Sequence, residues 1–206
     1  MKTGIIVTTV LACAFGSILL LYAGWELIIV GIVCVLFAFL YTTGPYPLSY
    51  HGWGDLLVLV FFGFVPVGCT YYVQAHSWTP TVTIASLICG FVIDTLLVIN
   101  NYRDREADEK SGKKTIIVRF GEPFGRYLYL FLGIFAALLC LLFLKGGNLY
   151  AALLPQIYLI PHVLTWKKMV KIYQGKALNK ILGETSRNML LLGILLSLGM
   201  ILARVY

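Results

Sequence analysis

The sequence predicts an all-helical membrane protein that crosses a bilayer about seven times. Of its 206 residues 60% are hydrophobic and only 12% are charged, and the mean hydropathy is +0.88. Such a composition indicates a chain whose main solvent is lipid. Its apolar runs are longer than the alternating ten-residue segments of an outer-membrane barrel, so the backbone must satisfy its hydrogen bonds within helices. We therefore expect residues 1–206 to form one transmembrane domain.

The spans are separated by breaks that the residue types explain. Gly24 and Trp25 mark an interfacial break after the first span, and Pro45 and Pro47 prevent a helix from continuing through residues 42–54. The predicted spans are residues 3–22, 27–41, 55–74, 80–99, 123–144, 149–166 and 184–204, and Pro66 is expected to kink the third.

The basic residues predict how the chain is oriented. The formal net charge is +7, and Lys and Arg are concentrated in two inter-span loops, a pattern that indicates positive-inside topology rather than a nucleic-acid surface. With seven spans, loops separated by an even number of crossings share a side, so three loops at residues 42–54, 100–121 and 167–183 can converge. We expect these loops to be cytoplasmic, at the cell inner (plasma) membrane, with the C-terminus outside.

Residues 100–121 form a charged segment between two apolar spans. Asp104, Glu106, Asp108 and Glu109 are four of only nine carboxylates in the chain, and charge of this density next to hydrocarbon usually marks a functional site. On a helix extending from the fourth span, Asp104 and Asp108 lie one turn apart on one face. Carboxylate oxygens completed by phosphate oxygens are what Mg²⁺ prefers.

Basic residues in the same segment have two interpretations. They are suited to clamping a diphosphate, and a solvated connector with positive-inside bias explains them equally well individually. The residues concerned are Arg103, Lys110, Lys113, Lys114 and Arg119. The spacing of the two aspartates, in contrast, favours a site.

Asp94 lies inside the fourth predicted span, seven residues before Asn101 and on roughly the same helix face. One interpretation is an additional ligand that points into a cavity. The other, which we favour, is a polar residue that is hydrogen-bonded to a neighbour.

Two motifs resemble a known family. Residues 100–115, NNYRDREADEKSGKKT, resemble the second aspartate-rich motif of the UbiA superfamily of intramembrane prenyltransferases. The pattern NNxRDxxxDxxxGKxT is similar to the menaquinone-pathway branch, the 1,4-dihydroxy-2-naphthoate polyprenyltransferases. Residues 41–48, YTTGPYPL, are similar to the YTGGPYPL of that branch, with Thr43 in place of a glycine.

The resemblance implies a fold and a reaction. The family forms a bundle of nine helices around a cavity open to lipid. It transfers a prenyl chain from a polyprenyl diphosphate to an aromatic acceptor, and Mg²⁺ bridges the aspartates to the diphosphate. For this branch the acceptor is 1,4-dihydroxy-2-naphthoate, which loses its carboxylate to give demethylmenaquinone.

The site residues follow by carrying the motifs over position by position. The two tyrosines among them, Tyr46 and Tyr50, are also typical of the interfacial aromatic belt of a membrane protein. The implied residues are Asp104 and Asp108 as catalytic metal ligands, Asn100, Asn101 and Arg103 around them, Lys113 on the diphosphate, and Tyr46 and Tyr50 beside the carbocation or the acceptor ring.

One family motif has no counterpart here. No Asp or Glu precedes Glu26, whereas the family carries a first aspartate-rich motif before its third helix. We therefore expect an N-terminally truncated member that lacks the first two helices. Half of the metal-binding carboxylates would then be absent, and this chain would not catalyse transfer alone. The alternatives are a non-catalytic remnant of the fold and a UbiA-type enzyme for another aromatic acceptor.

Overall fold

The computed structural model describes residues 2–202, and within that range the protein is built from helices without any β-strand. This confirms the predicted all-α class. The helices are α1 (Thr3–Ala23), α2 (Glu26–Thr42), α3 (Gly54–Ala75), α4 (Pro80–Lys110), α5 (Ile116–Phe120), α6 (Glu122–Gly146), α7 (Leu149–Ile172) and α8 (Leu178–Leu202).

Six of these helices are long and apolar enough to cross a membrane, and only α2 and the short α5 fall below that length. The apolar α2 has 17 residues, which is the lower limit for a span. A polytopic helical bundle is therefore confirmed, with α2 as the shortest of the seven predicted spans. The last two positions of the predicted final span, Ala203 and Arg204, lie outside the described residues.

Three helix ends differ from the predicted spans because hydropathy locates the membrane and not the end of a helix. The α4 helix continues past residue 99 to Lys110, and its 31 residues extend roughly 46 Å, well beyond a hydrocarbon core of about 30 Å. The loop predicted at residues 167–183 is shorter in the structure, because α7 runs to Ile172 and α8 begins at Leu178. Lysine is a good helix former, so the lysines in this segment do not end the helices.

The α3 helix packs closely on α4. A β-carbon added at Gly63 would lie 2.6 Å from the Ser86 carbonyl oxygen and 2.9 Å from the Gly90 α-carbon, so only glycine permits this approach. The kink predicted at Pro66 takes the form of π-helical turns over Leu59–Cys69, which accommodate the proline within a continuous helix.

The core lies between α4, α6, α7 and α8. One buried cluster includes Ile88 and Tyr158, and a second, nearer the charged end of α4, includes Ile99, Ile117 and Met169. Of the residues described in α1 and α2, only Ala23 is buried. The helix that carries the charged segment is therefore held by the best-packed part of the protein.

Candidate functional site

The last three turns of α4 carry the predicted aspartate pair. Because the helix continues to Lys110, Asp104 and Asp108 lie on successive turns of one face, as their spacing predicts. Their surroundings differ: the side chain of Asp104 is 38% exposed, whereas that of Asp108 is 10% exposed. The pair therefore presents one accessible and one largely enclosed carboxylate.

Arg103 holds the Asp104 carboxylate by a two-pronged contact. Its Nε donates to Asp104 Oδ1 at 2.7 Å and its Nη2 donates to Oδ2 at 2.6 Å. The guanidinium also donates to the side-chain oxygens of Asn100 and Asn179, each at 2.9 Å. Planar, bidentate pairing of this kind fixes a carboxylate's direction, so Arg103 orients Asp104 while connecting α4 to the start of α8.

Lys113 faces the Asp108 carboxylate from the loop that follows α4. Its Nζ lies 3.1 Å from Asp108 Oδ1 and 5.6 Å from the centre of the Tyr50 ring. The hydrogen bond with Asp108 is the main cause of a raised pKa for Lys113, which keeps the ammonium group charged. A cation, a carboxylate and an aromatic face thus converge.

The loop between α2 and α3 is bonded to the segment between α4 and α6. The Lys114 amide donates to the Tyr50 carbonyl at 2.8 Å, and Arg119 Nη2 donates to the His51 carbonyl at 2.7 Å. Gly52 has φ +79°, and a β-carbon there would lie 2.9 Å from the Lys114 carbonyl oxygen. The predicted convergence of these two loops is confirmed.

The third loop, residues 173–177, reaches the same end of α4. Arg105 Nη1 donates to the carbonyls of Tyr102 and Tyr173 at 2.7 and 3.3 Å. Its guanidinium lies over both rings, 4.6 Å and 5.1 Å from their centres. Together with the Arg103–Asn179 bond, these contacts confirm that all three loops meet.

Most, but not all, of the predicted site residues are brought together. Tyr46 stacks on His51 with ring centres 3.4 Å apart and is 54% exposed; no contact among the described residues places it against either aspartate. Asn101 is half-buried on α4. The residues that contact an aspartate or its cation are Asn100, Arg103, Asp104, Asp108, Lys113 and Tyr50.

The structure also assigns roles that the sequence did not indicate. Arg119, for which a diphosphate clamp and a solvated connector were both open above, donates to the backbone carbonyls of His51 and Lys114. It therefore holds two loops together. Asn179 binds Arg103 from 76 residues along the chain, and no local pattern around it signals that partnership.

The donor set fits a magnesium ion that is shared with a substrate. No group of three or more His, Cys, Asp or Glu side chains that could hold a metal occurs within residues 2–202, so the protein alone does not offer a full shell. Mg²⁺ typically takes one or two carboxylates and completes its six oxygens with water and substrate phosphates. The Asp104 and Asp108 side chains are two carboxylates of the kind that such an ion takes.

Comparisons with known proteins agree with the motifs. The profile of the UbiA prenyltransferase family matches residues 2–182. Among curated relatives, the 1,4-dihydroxy-2-naphthoate octaprenyltransferase of Escherichia coli is 32% identical over 213 residues, covering 99% of this chain and 68% of the relative. The protein of the same name from Haemophilus influenzae is 37% identical over 175 residues, covering 84% and 56%. The chain thus spans about two thirds of the first relative and just over half of the second. No solved structure matches significantly.

Proposed function

This chain belongs to the UbiA prenyltransferase family, and on that premise we propose that it transfers a polyprenyl group from polyprenyl diphosphate to 1,4-dihydroxy-2-naphthoate in menaquinone biosynthesis. The relatives named above support this choice of donor class and acceptor. The apolar helices support a lipid bilayer as its surroundings.

The observation that carries the proposal is the Asp104–Asp108 pair with a cation beside each carboxylate. Arg103 and Lys113 each neutralise one carboxylate, so two acidic groups are held one turn apart without a bound ion. With a diphosphate and Mg²⁺ present, both carboxylates would hold the ion, Lys113 would turn from Asp108 to a phosphate oxygen, and Arg103 would keep its contact with Asp104.

Each residue then has a defined task in the transfer. Asp104 and Asp108 would hold Mg²⁺. The ion would neutralise the negative charge of the leaving diphosphate as its bond to the allylic carbon breaks. Lys113 binds a diphosphate oxygen, and Arg103 keeps Asp104 directed at the site. Tyr50, whose ring already faces the Lys113 ammonium group, presents the same face to a developing carbocation.

The orientation of the protein is part of the proposal. Residues 100–121 and 167–183 contain most of the lysines and arginines, so we place this end of α4 on the cytoplasmic side of the plasma membrane. A water-soluble acceptor and the diphosphate product would then enter and leave from the cytoplasm.

A transfer assay tests the function directly. Membranes that contain the 206-residue chain are incubated with Mg²⁺, a polyprenyl diphosphate and 1,4-dihydroxy-2-naphthoate, and prenylated product is measured by mass spectrometry. The absent first motif predicts no product from this chain alone, whereas we expect product formation that Asp104→Asn abolishes and that Glu106→Gln, on the exposed side of the same helix, leaves intact. Product formed equally well by Asp104→Asn would contradict the metal assignment.

A non-catalytic protein of the same fold is the second candidate. It is favoured by the two existing ion pairs, which leave neither aspartate uncompensated, and by the lack of a third metal-binding carboxylate within residues 2–202. Absent transfer together with intact, Mg²⁺-dependent diphosphate binding would establish it. Transfer to a different aromatic acceptor in competition assays would instead identify another substrate.

A further inference from the structure

Asn179, in the first turn of α8, accepts a hydrogen bond from the arginine that holds Asp104. Arg103 Nη1 donates to Asn179 Oδ1 at 2.9 Å, and the two residues are 76 positions apart in the chain. Arg103 directs its Nε and Nη2 atoms at Asp104, and Nη2 also donates to Asn100. Among the residues that the structure describes, Asn179 is therefore the only hydrogen-bond partner of Nη1.

The partners of Arg103 differ in where they are anchored. Asn100 and Asp104 lie on α4 itself, within one turn of Arg103, so they move together with the arginine. Asn179 belongs to another helix, and its bond fixes the guanidinium relative to the rest of the bundle. Because a guanidinium is planar and rigid, holding Nη1 also sets the direction of the edge that meets the Asp104 carboxylate.

The backbone on either side of Asn179 is firmly held. Leu178 and Ile181 are both 0% exposed and belong to the buried cluster that includes Ile99 on α4. Buried side chains that are packed this closely leave little freedom to the turn that carries them. The Oδ1 acceptor of Asn179 is thus presented from a fixed place, although the side chain itself lies at the surface.

The other end of the α7–α8 loop is also attached to α4. Tyr173 has φ +68°, a backbone conformation that a residue with a side chain keeps only where its surroundings hold it. Its carbonyl accepts from Arg105 Nη1 at 3.3 Å, and the centre of its ring lies 5.1 Å from Arg105 Cζ and 5.2 Å from Arg126 Cζ. The loop that leads to Asn179 is therefore held at both ends.

A bound diphosphate would compete with Asp104 for Arg103. Guanidinium groups bind phosphate and carboxylate oxygens through the same two-pronged geometry, so an arginine beside a diphosphate site has two alternative partners. If Arg103 turned to the phosphate, Asp104 would lose the contact that directs it. The bond to Asn179 favours the arrangement with Asp104, since turning the guanidinium would break that bond.

We propose that Asn179 is a positioning residue that acts through Arg103. It keeps the guanidinium on Asp104 when a diphosphate is present, so that the Asp104 carboxylate stays directed at the site. The inference rests on the proposed function in taking the ligand to be a diphosphate with Mg²⁺, and it adds a residue of α8 to the site on α4.

The state of Arg103 is measured directly, without any ligand. The 206-residue chain is labelled with ¹⁵N-arginine in lipid nanodiscs, and the Arg103 Nε–H signal is identified by its absence in Arg103→Lys. We expect Asn179→Ala to speed the exchange of this proton with water roughly fivefold, because a hydrogen bond to a charged group is lost. Asn179→Asp keeps an acceptor oxygen at the same place and should restore slow exchange.

Gln174→Ala is the matched control. Gln174 lies in the same loop, is exposed and makes no side-chain hydrogen bond within residues 2–202, so this variant should exchange as slowly as the wild type. Unchanged exchange in Asn179→Ala would overturn the inference. Equally fast exchange in Asn179→Ala and Gln174→Ala would also overturn it, since a loosened loop would then be the cause.

Diphosphate binding tests whether the position of Arg103 matters for the site. Geranylgeranyl diphosphate is titrated at increasing Mg²⁺, and we expect Asn179→Ala to raise the Mg²⁺ concentration for half-maximal binding roughly fivefold. In an Arg103→Ala background the same substitution should change nothing further; a full effect there would show that Asn179 acts independently of Arg103 and would overturn the inference. Wild-type binding that is insensitive to Mg²⁺ would contradict the proposed function alone, because the exchange measurement still decides the role of Asn179.

Discussion

Helices α1 and α4 have the same mean hydropathy, 2.4 in their most apolar windows, but very different surroundings. Half of that window is buried within the protein in α4 and none of it is buried in α1. Apolar character therefore reports affinity for lipid and not the place of a helix in the bundle. What distinguishes α4 is its small and polar residues, such as Gly90, which contacts α3, and the buried Asp94, together with the charged turns that follow its apolar part.

The largest expected effect tests the close packing of α4. Gly63→Ala would place a methyl group 2.6 Å from the Ser86 carbonyl oxygen, and we expect a loss of roughly 1–3 kcal/mol in the free energy of unfolding from overpacking. Gly16→Ala in α1, where nothing lies within 4 Å, should be neutral or slightly stabilising. Thermal unfolding in detergent measures both, and equal effects would remove the distinction between the two helices.

The fixed direction of Asp104 is tested by Arg103→Lys. Lysine keeps the positive charge but loses the planar fork and the bonds to Asn100 and Asn179. We expect Mg²⁺-dependent diphosphate binding to weaken by about 1 kcal/mol, which is roughly fivefold. Arg105→Lys, which alters contacts to backbone carbonyls and tyrosine rings, serves as the matched control and should weaken binding less.

The attachment of the α2–α3 loop to the charged segment depends on one side chain. Arg119→Ala removes the hydrogen bonds to the carbonyls of His51 and Lys114. We expect the loop to lose about 1 kcal/mol of local stability, so that proteolysis within residues 43–53 becomes several-fold faster. Lys114→Ala should not have this effect, because Lys114 bonds to Tyr50 through its backbone. Similar cleavage rates in both variants would show that Arg119 does not hold the loop.

The smallest effect concerns the ion pair of Lys113. Because Asp108 raises the pKa of Lys113 in the folded protein, the pair stabilises the fold fully below the pKa of lysine in the unfolded chain. That contribution is lost as the pH rises through the higher folded pKa. In an NMR titration of ¹³Cε-labelled lysines, Asp108→Asn should move the Lys113 midpoint to lower pH. An unchanged midpoint would show that Asp108 does not govern Lys113.

The sequence predicted those features that local pattern determines. The third span, predicted at residues 55–74, is Gly54–Ala75 in the structure, because both of its ends are changes from apolar to polar residues. The placement of Asp104 and Asp108 on one helix face followed from their spacing. The position of Arg119 was not predictable, since one of its two partners is the His51 carbonyl, 68 residues away along the chain.

The central claim is that Asp104 and Asp108 hold a diphosphate through Mg²⁺, and binding measures it without requiring turnover. Geranylgeranyl diphosphate is titrated into the chain in nanodiscs, with Mg²⁺ or with EDTA, for the wild type, Asp104→Asn, Asp108→Asn and the control Glu106→Gln. We predict that EDTA and each asparagine variant weaken binding at least about tenfold, and that the control matches the wild type. Binding that is insensitive to Mg²⁺ and unchanged in both asparagine variants would contradict the account.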